Sequence, residues 1–268
     1  MLKRNPDSVI GYTRRVAFEM VDLYFFPCFV KDVLKYVRPV ISLDAAHLRS
    51  EYKGMLYIAS VLSGNNDIYP IGFMIAAGNE NKETWIKMLR LLKQACPIIS
   101  TPERGPFIFV SDRDKGLKPA LKNVFPDNCE MSCAKHIEAN VTQKFGKQCG
   151  RHVMAMAKTY SVRYYNKLLD LMRTSKSEKA ADYVHAITTR GVLWSNSQWT
   201  DSNLTPRFGI VTSNTSESLN SMFNSARDLP WMDAAEKIVD LMLTRICTCR
   251  AKYQQHEDFE IVPRAKGI

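Results

Sequence analysis

Two apolar runs flank the turn residues Asn65-Asn66-Asp67, one over residues 54 to 64 and one over residues 68 to 77, both rich in Ile, Val, Tyr and Phe. Turn chemistry between two β-prone runs predicts a hairpin. Neither run alternates apolar with polar residues, so each strand has to be covered on both faces. That excludes a solvated sheet and demands a layer above and a layer below. Upstream, Pro39 opens Val40-Ile41-Ser42-Leu43-Asp44, which with the hairpin makes a three-stranded antiparallel meander. Downstream, Asn81 can cap a helix whose apolar stripe is Trp85, Met88, Leu89 and Leu92, with Glu83 in its first turn. Phe107-Ile108-Phe109-Val110-Ser111 is a strand reached by a crossover and therefore parallel to the first. Leu117, Ala120, Leu121 and Val124 form a further helical stripe ended by Pro126, and residues 129 to 132 make a short fifth strand. Residues 12 to 36 place apolar side chains at helical spacing around Pro27 and predict a helical lead-in.

Two of these strands end in a carboxylate. Asp44 closes the first and Asp112 follows the fourth, and buried parallel strands that deliver acids at one sheet edge can hold a divalent metal. Charge adds a second constraint. The 268-residue chain carries a formal net charge of +10. From Ser132 to Val192 there are 11 Lys or Arg against 4 acids, an excess of 11 − 4 = 7. Such a cluster fits a polyanion, because each neutralised phosphate releases condensed counterions, and it also fits a solvated helical surface. Residues 137 to 190 show helical patterning and no strand signal, so a basic helical insertion is expected there. No apolar run approaches the roughly 20 residues of a membrane helix, and residues 1 to 7 lack the apolar stretch of a secretory signal, so the chain is expected to be soluble, intracellular and free of membrane contact. Seven scattered cysteines in a chain of this length read as reduced thiols.

Read in order, Leu43-Asp44-Ala45-Ala46-His47-Leu48, Tyr52-Lys53-Gly54, Asn65-Asn66 with Ile68-Tyr69-Pro70, and Glu83-Thr84-Trp85 begin a recognisable series. It continues through Ser111-Asp112-Arg113-Asp114-Lys115-Gly116-Leu117, Cys133-Ala134-Lys135-His136, and Thr212-Ser213-Asn214 with Glu217-Ser218 and Asn220. This ordered set resembles the Mutator-like (MULE) transposase domain of the DDE transposase superfamily, from about residue 25 to 227. The resemblance implies an α/β ribonuclease H-like mixed sheet with a helical insertion before the last acid. Four segments are expected: a helical lead-in over 1–38, the first part of the core over 39–136, a basic helical insertion and connection over 137–207, and C-terminal helices completing the core over 208–268. The implied activity is DNA strand cleavage and strand transfer, with Asp44, Asp112 and Glu217 as a catalytic triad holding two Mg²⁺ or Mn²⁺ ions. Carboxylates and water suit such hard cations better than zinc. Transposon ends and target DNA are the implied partners, the nucleus the implied location in a eukaryote, and a homo-oligomer in a synaptic complex is compatible with the resemblance.

Several residues admit two readings from sequence. Glu217 stands three residues after Asn214, so a capping box accounts for it as well as catalysis does; Glu236 is the next acid in line. Asp112 is free for metal if Asp114 caps the following helix. Cys133 and His136 can contact the site or simply pack at a helix start, since a zinc site needs four ligands and Cys129 would have to join them. His47 can lie near the metal or anchor the strand end. Arg113, Lys115 and Lys118, and Lys144, Lys147, Arg151 and Lys158 in the insertion, are candidate phosphate contacts or solvated charges. Cys247-Thr248-Cys249 with His256 reads as core packing, since it lies in the stripe of Ala235, Ile238, Met242 and Ile246. The rival to a transposase is a catalytically silent, transposase-derived DNA-binding or regulatory protein. The chain shows no zinc or helix-turn-helix module for finding DNA ends, as expected of a catalytic core or a truncated copy.

Overall fold

A computed structural model describes residues 7–14, 20–100, 106–112, 116–199 and 209–254. The expected hairpin is β4 (Met55–Leu62) and β5 (Ile68–Ala76), and it pairs in antiparallel register with β3 (Val40–His47). Its turn is held locally: Ser63 Oγ accepts from the backbone N–H of Asn65 and of Asp67, while Asn66 takes a positive φ of 63°. One extra residue, Ile71, bulges β5 where Ser60 pairs with Pro70 and Ala59 with Gly72. β6 (Ile108–Ser111) runs parallel to β3, and β7 (Glu130–Ser132) parallel to β6. The sub-order β5-β4-β3-β6-β7 with these directions is that of a ribonuclease H-like mixed sheet.

Both faces are covered, as the unalternating strands require. One face of the meander, with Ile41, Leu43, Tyr57 and Ala59, packs against α1 (Val30–Tyr36), α2 (Lys82–Ala95) and α3 (Leu117–Val124). The other, with Leu56, Ile58, Phe73 and Ile75, packs against α8 (Asn214–Met222) and α9 (Trp231–Gln254). The sequence stripes are the buried ones: Trp85, Met88, Leu89 and Leu92 of α2, and Leu117, Ala120, Leu121 and Val124 of α3. Asn81 caps α2 by accepting from the Thr84 N–H at 2.9 Å. At α3, by contrast, the cap position is Gly116, with no side-chain bond, and Asp114 lies outside the described residues.

The helical lead-in is corrected. Residues expected to be helical instead form β1 (Val9–Arg14) and β2 (Met20–Phe26), which extend the sheet beyond β5, with helix only from Val30. β2 is sandwiched between β1 and β5 and buries Leu23, Phe25 and Phe26, so it lacks the alternation by which a strand is read. Its one acid, Asp22, is buried and ion-paired to Lys87 of α2, a tertiary contact that no local pattern announces.

Between β7 and α8 the chain forms α4 (Ala134–Phe145), α5 (Lys147–Lys158), α6 (Val162–Ser175) and α7 (Glu178–Thr189). These helices build a core of their own from Ile137, Val141, Val153, Met156, Met172, Val184 and Trp194. Ser161 and Ser177 cap α6 and α7 through their hydroxyls. Among the described residues no helix is long and apolar enough to cross a membrane.

Candidate active site

The last ladder pair between β3 and β6 is Ser42 with Val110. Two residues further along each strand come Asp44 and Asp112, so the parallel register sets both acids level at one end of the sheet. Alternation fixes their face. Asp44 shares it with Val40 and Ser42, and Asp112 with Ile108 and Val110, opposite the α2 layer and on the side that receives α8. Both acids are half-buried.

Asp44 is held at both oxygens. Oδ1 accepts from the Ala45 N–H at 3.0 Å, and Oδ2 accepts from Asn220 Nδ2 of α8 at 2.6 Å. Asn220 is thereby the link between the first acid and the helix that carries Glu217 one turn earlier. The Glu217 side chain lies outside the described residues, as do Arg113 and Lys115. Its capping-box reading changes, however: α8 starts at Asn214, so Ser213 occupies the cap position and Glu217 falls one residue past N3. Glu236, the fallback acid, lines a cleft with Ile10, Tyr12 and Leu23 at the far edge of the sheet. From β2 to β3 is three strand spacings, about 14 Å, too far to join Asp44.

A second set of bonds fixes α8 from its C-terminal end. Arg49 grips Asp228 with two bonds of 2.7 and 2.8 Å, and also bonds the side chain and carbonyl of Asn224 at 2.8 and 2.9 Å. Its backbone N–H donates to the Arg227 carbonyl, and Arg227 Nε donates to the His47 carbonyl at 2.8 Å. Trp231 Nε1 donates to the Lys53 carbonyl at 2.8 Å beside Gly54, where φ is +119° and a Cβ would meet the Ala76 carbonyl oxygen at 2.7 Å. Only glycine fits there. Arg49, Asn220, Asn224, Arg227 and Asp228 thus stitch the end of β3 to the α8–α9 connection. Apart from Asn220, sequence reading singled out none of them, because the partners lie 175 to 180 residues apart. Arg227 has its pKa lowered by burial and by the neighbouring Arg49, against the pull of Asp228 and Asp44.

Cys133 and His136 flank the same acids at the start of α4. Burial pushes the Cys133 thiol up, but hydrogen bonds from His136 and from Ser213 outweigh it and leave the pKa below the ordinary thiol value. The Ser213 N–H reaches Cys133 Sγ at 3.2 Å, so this cysteine ties the start of α4 to the start of α8. The bond to Cys133 raises His136 to about 9 against the opposing effect of burial, with Asp112 and Asp44 adding to the rise. Cys129 does not join this pair; it packs with Val40, Ile108 and Val110. His47 is exposed. Cys249 is buried and Cys247 exposed, and His256 lies outside the described residues.

Among the described residues no three His, Cys, Asp or Glu converge as metal ligands. The donors present still fit a hard cation: two carboxylates on adjacent strands, and a buried Asn220 Oδ1 with no hydrogen-bond partner among the described residues. In the insertion, Lys147, Arg151 and Lys158 are exposed along one face of α5, while Lys144 sits 4.7 Å over the Tyr183 ring. Local acids are taken up elsewhere, Glu138 by Lys135 and both Asp170 and Asp182 by Arg173.

The family model of the MULE transposase domain matches residues 40–140, which run from β3 to α4 and hold both aspartates. Comparison with curated proteins gives no match. Among solved structures, the catalytic domain of Mos1 mariner transposase is similar at 14% identity over 61% of this chain and 85% of that one, with a TM-score of 0.26. The Mos1 catalytic domain with raltegravir and Mn is similar at 14% identity over 61% and 86%, again with a TM-score of 0.26. So low a score carries nothing about chemistry.

Proposed function

We propose that the chain, whose residues 40–140 match the family model of the MULE transposase domain, is a DDE-type transposase catalytic domain that cleaves and joins DNA strands. The observation that carries this reading is the pair of carboxylates, Asp44 within β3 and Asp112 just past β6, level on two adjacent parallel strands, with Asn220 bonding the first to the helix of Glu217. In cleavage a water oxygen bonds to phosphorus and the P–O3′ bond breaks, leaving a 3′-hydroxyl and a 5′-phosphate. In strand transfer that 3′-hydroxyl attacks a target phosphodiester, and the displaced target 3′-hydroxyl leaves.

Asp44, Asp112 and Glu217 are the residues that would hold two Mg²⁺ or Mn²⁺ ions. Bound there, the ions would activate the attacking oxygen and neutralise charge at phosphorus. Asn220 and the Ala45 N–H orient Asp44, each donating to one of its oxygens. His136, its pKa raised first by the bond to Cys133, stands beside the acids where an incoming phosphate would lie. Arg227, held by the His47 carbonyl, is a cation near Asp44. The basic face of α5 supplies phosphate contacts that carry no base information.

Replacing Asp44 or Asp112 with Asn keeps shape and removes one ligand charge. Cleavage of a DNA end in Mn²⁺ should fall at least about a thousand-fold, the equivalent of about 4 kcal/mol, while DNA binding persists. Glu217→Gln should lose activity without losing thermal stability. If wild-type protein binds a DNA end with Mn²⁺ present and never cleaves or joins it, the enzyme reading fails and the silent binder replaces it.

A further inference from the structure

At the opposite end of β3 from the acids, a cleft of about 420 Å³ opens between the insertion and the sheet. Arg38 and Asn66 line it from the meander side, Lys158 from the end of α5, and Thr212, Thr215 and Ser218 from the start of α8. The lining holds two cations and, among the described residues, no carboxylate. Three features point to an anion. α8 begins at the cleft with no side-chain bond at its cap, and a helix N-terminus carries unsatisfied N–H groups and a positive dipole end. Thr215 is only 5% exposed, and its Oγ1 is buried with no hydrogen-bond partner among the described residues. Lys158 is the last of the row Lys147, Arg151, Lys158 on one face of α5, so the cleft continues a line of positive charge onto the sheet.

We propose that this cleft is a phosphate subsite for the DNA backbone, which leads the strand from the basic face of α5 along α8 to the carboxylates. This rests on the nucleic-acid reading above but not on catalysis. From Thr215 in the cleft to Asn220 on Asp44 the helix rises about 7.5 Å. A DNA strand advances about 3.4 Å per nucleotide, so the subsite takes a phosphate about two nucleotides from the one that reacts. The Thr215 hydroxyl gains an acceptor, and the α8 N–H groups and the two cations share the charge.

The test is fluorescence anisotropy on the full chain with duplex DNA, read as the slope of log affinity against log salt. Arg38→Gln with Lys158→Gln should shrink the slope by about 1.8, at about 0.9 per cation, whereas Lys237→Gln on the exposed side of α9 should change affinity far less. Arg38 also bonds the Gly64 carbonyl at 2.9 Å, so Lys158→Gln with Thr215→Val is a second pair that leaves the hairpin intact. A methylphosphonate two nucleotides from the reacting phosphate should weaken the wild type and leave either double variant unaffected. An unchanged slope in both pairs, with unchanged melting, overturns the proposal. So does saturable stabilisation by inorganic phosphate at fixed ionic strength that the variants lose while their DNA slope stays, since the cleft then belongs to a free anion. A shrunken slope in the cleft variants together with a wild type that never cleaves keeps the subsite and discards the transposase.

Discussion

In the sheet, Trp85 of α2 stands edge-on to Tyr57 of β4 at 4.8 Å and donates to Glu80; in the insertion, Trp194 meets Tyr165 at 5.9 Å and donates to Thr188. Both rings are fully buried, yet they serve two different cores. The sheet core is continuous through a backbone ladder, so Asp44 and Asp112 inherit a fixed spacing. Among the described residues the insertion meets that ladder where Ser132 donates to the Leu193 carbonyl and where Leu193 and Trp199 pack on Val40, Ile108 and Val110, while Ala134 to Val211 and Ser213 to Cys133 tie α4 to the start of α8. The difference teaches that two acids depend on sheet register, whereas the helix of the third depends on how the insertion returns.

The largest effect that can break this comparison comes from the two tryptophans. Trp85→Ala and Trp194→Ala should each cost about 3 to 5 kcal/mol, measured by denaturant unfolding. Hydrogen exchange should then differ. Trp194→Ala should expose amides of α4 to α7 and leave β3 and β6 protected, while Trp85→Ala loosens the sheet. Opening of β3 in Trp194→Ala would mean that the two cores are one.

A middle-sized effect sharpens the junction between them. His136 in the fold sits at about 9, above its unfolded value of 6.5. Its contribution to stability is therefore fully present below about pH 6.5 and is lost as pH rises through about 9. Cys133, lowered in the fold, contributes above its unfolded value and loses that contribution as pH falls through its folded one. With a chelator present, wild-type melting should fall between about pH 6.5 and 9, and His136→Gln should flatten that fall. A wild type whose melting holds steady across that range breaks the assignment.

The smallest effects test the helices singly. Asn81→Ala at α2 and Ser177→Ala at α7 each remove a side-chain cap and should cost about 1 kcal/mol. Equal losses with unequal activity, greater for Ser177→Ala, would say that the insertion's fit to α8 governs the site.

Much of this was legible in the residues themselves. Apolar runs around Asn65-Asn66-Asp67, the Asn81 cap and the stripes of α2 and α3 are local patterns, and local chemistry produces them. Asp44 and Asp112 could be placed on neighbouring strands from their apolar runs and one crossover, but β3 does not stop at Asp44 as expected and continues to His47, because its pairing with β4 runs on to Met55. β1 and β2 were not legible, since β2 is covered by strands on both sides and its buried Asp22 finds Lys87 only after folding. Nor was the Arg49 grip on Asp228, or the cleft shared by Arg38, Lys158 and Thr215. The sequence alone determined a sheet covered on both faces, its hairpin, and the two strands that carry Asp44 and Asp112, because those follow from patterns within a few residues. Only the tertiary structure decided that Asn220 bonds Asp44, that Cys133 holds the start of α8, and that an uncapped helix end meets two cations. Each of those pairs residues far apart in the chain, and no local periodicity carries a contact that exists only once both faces of the sheet are filled.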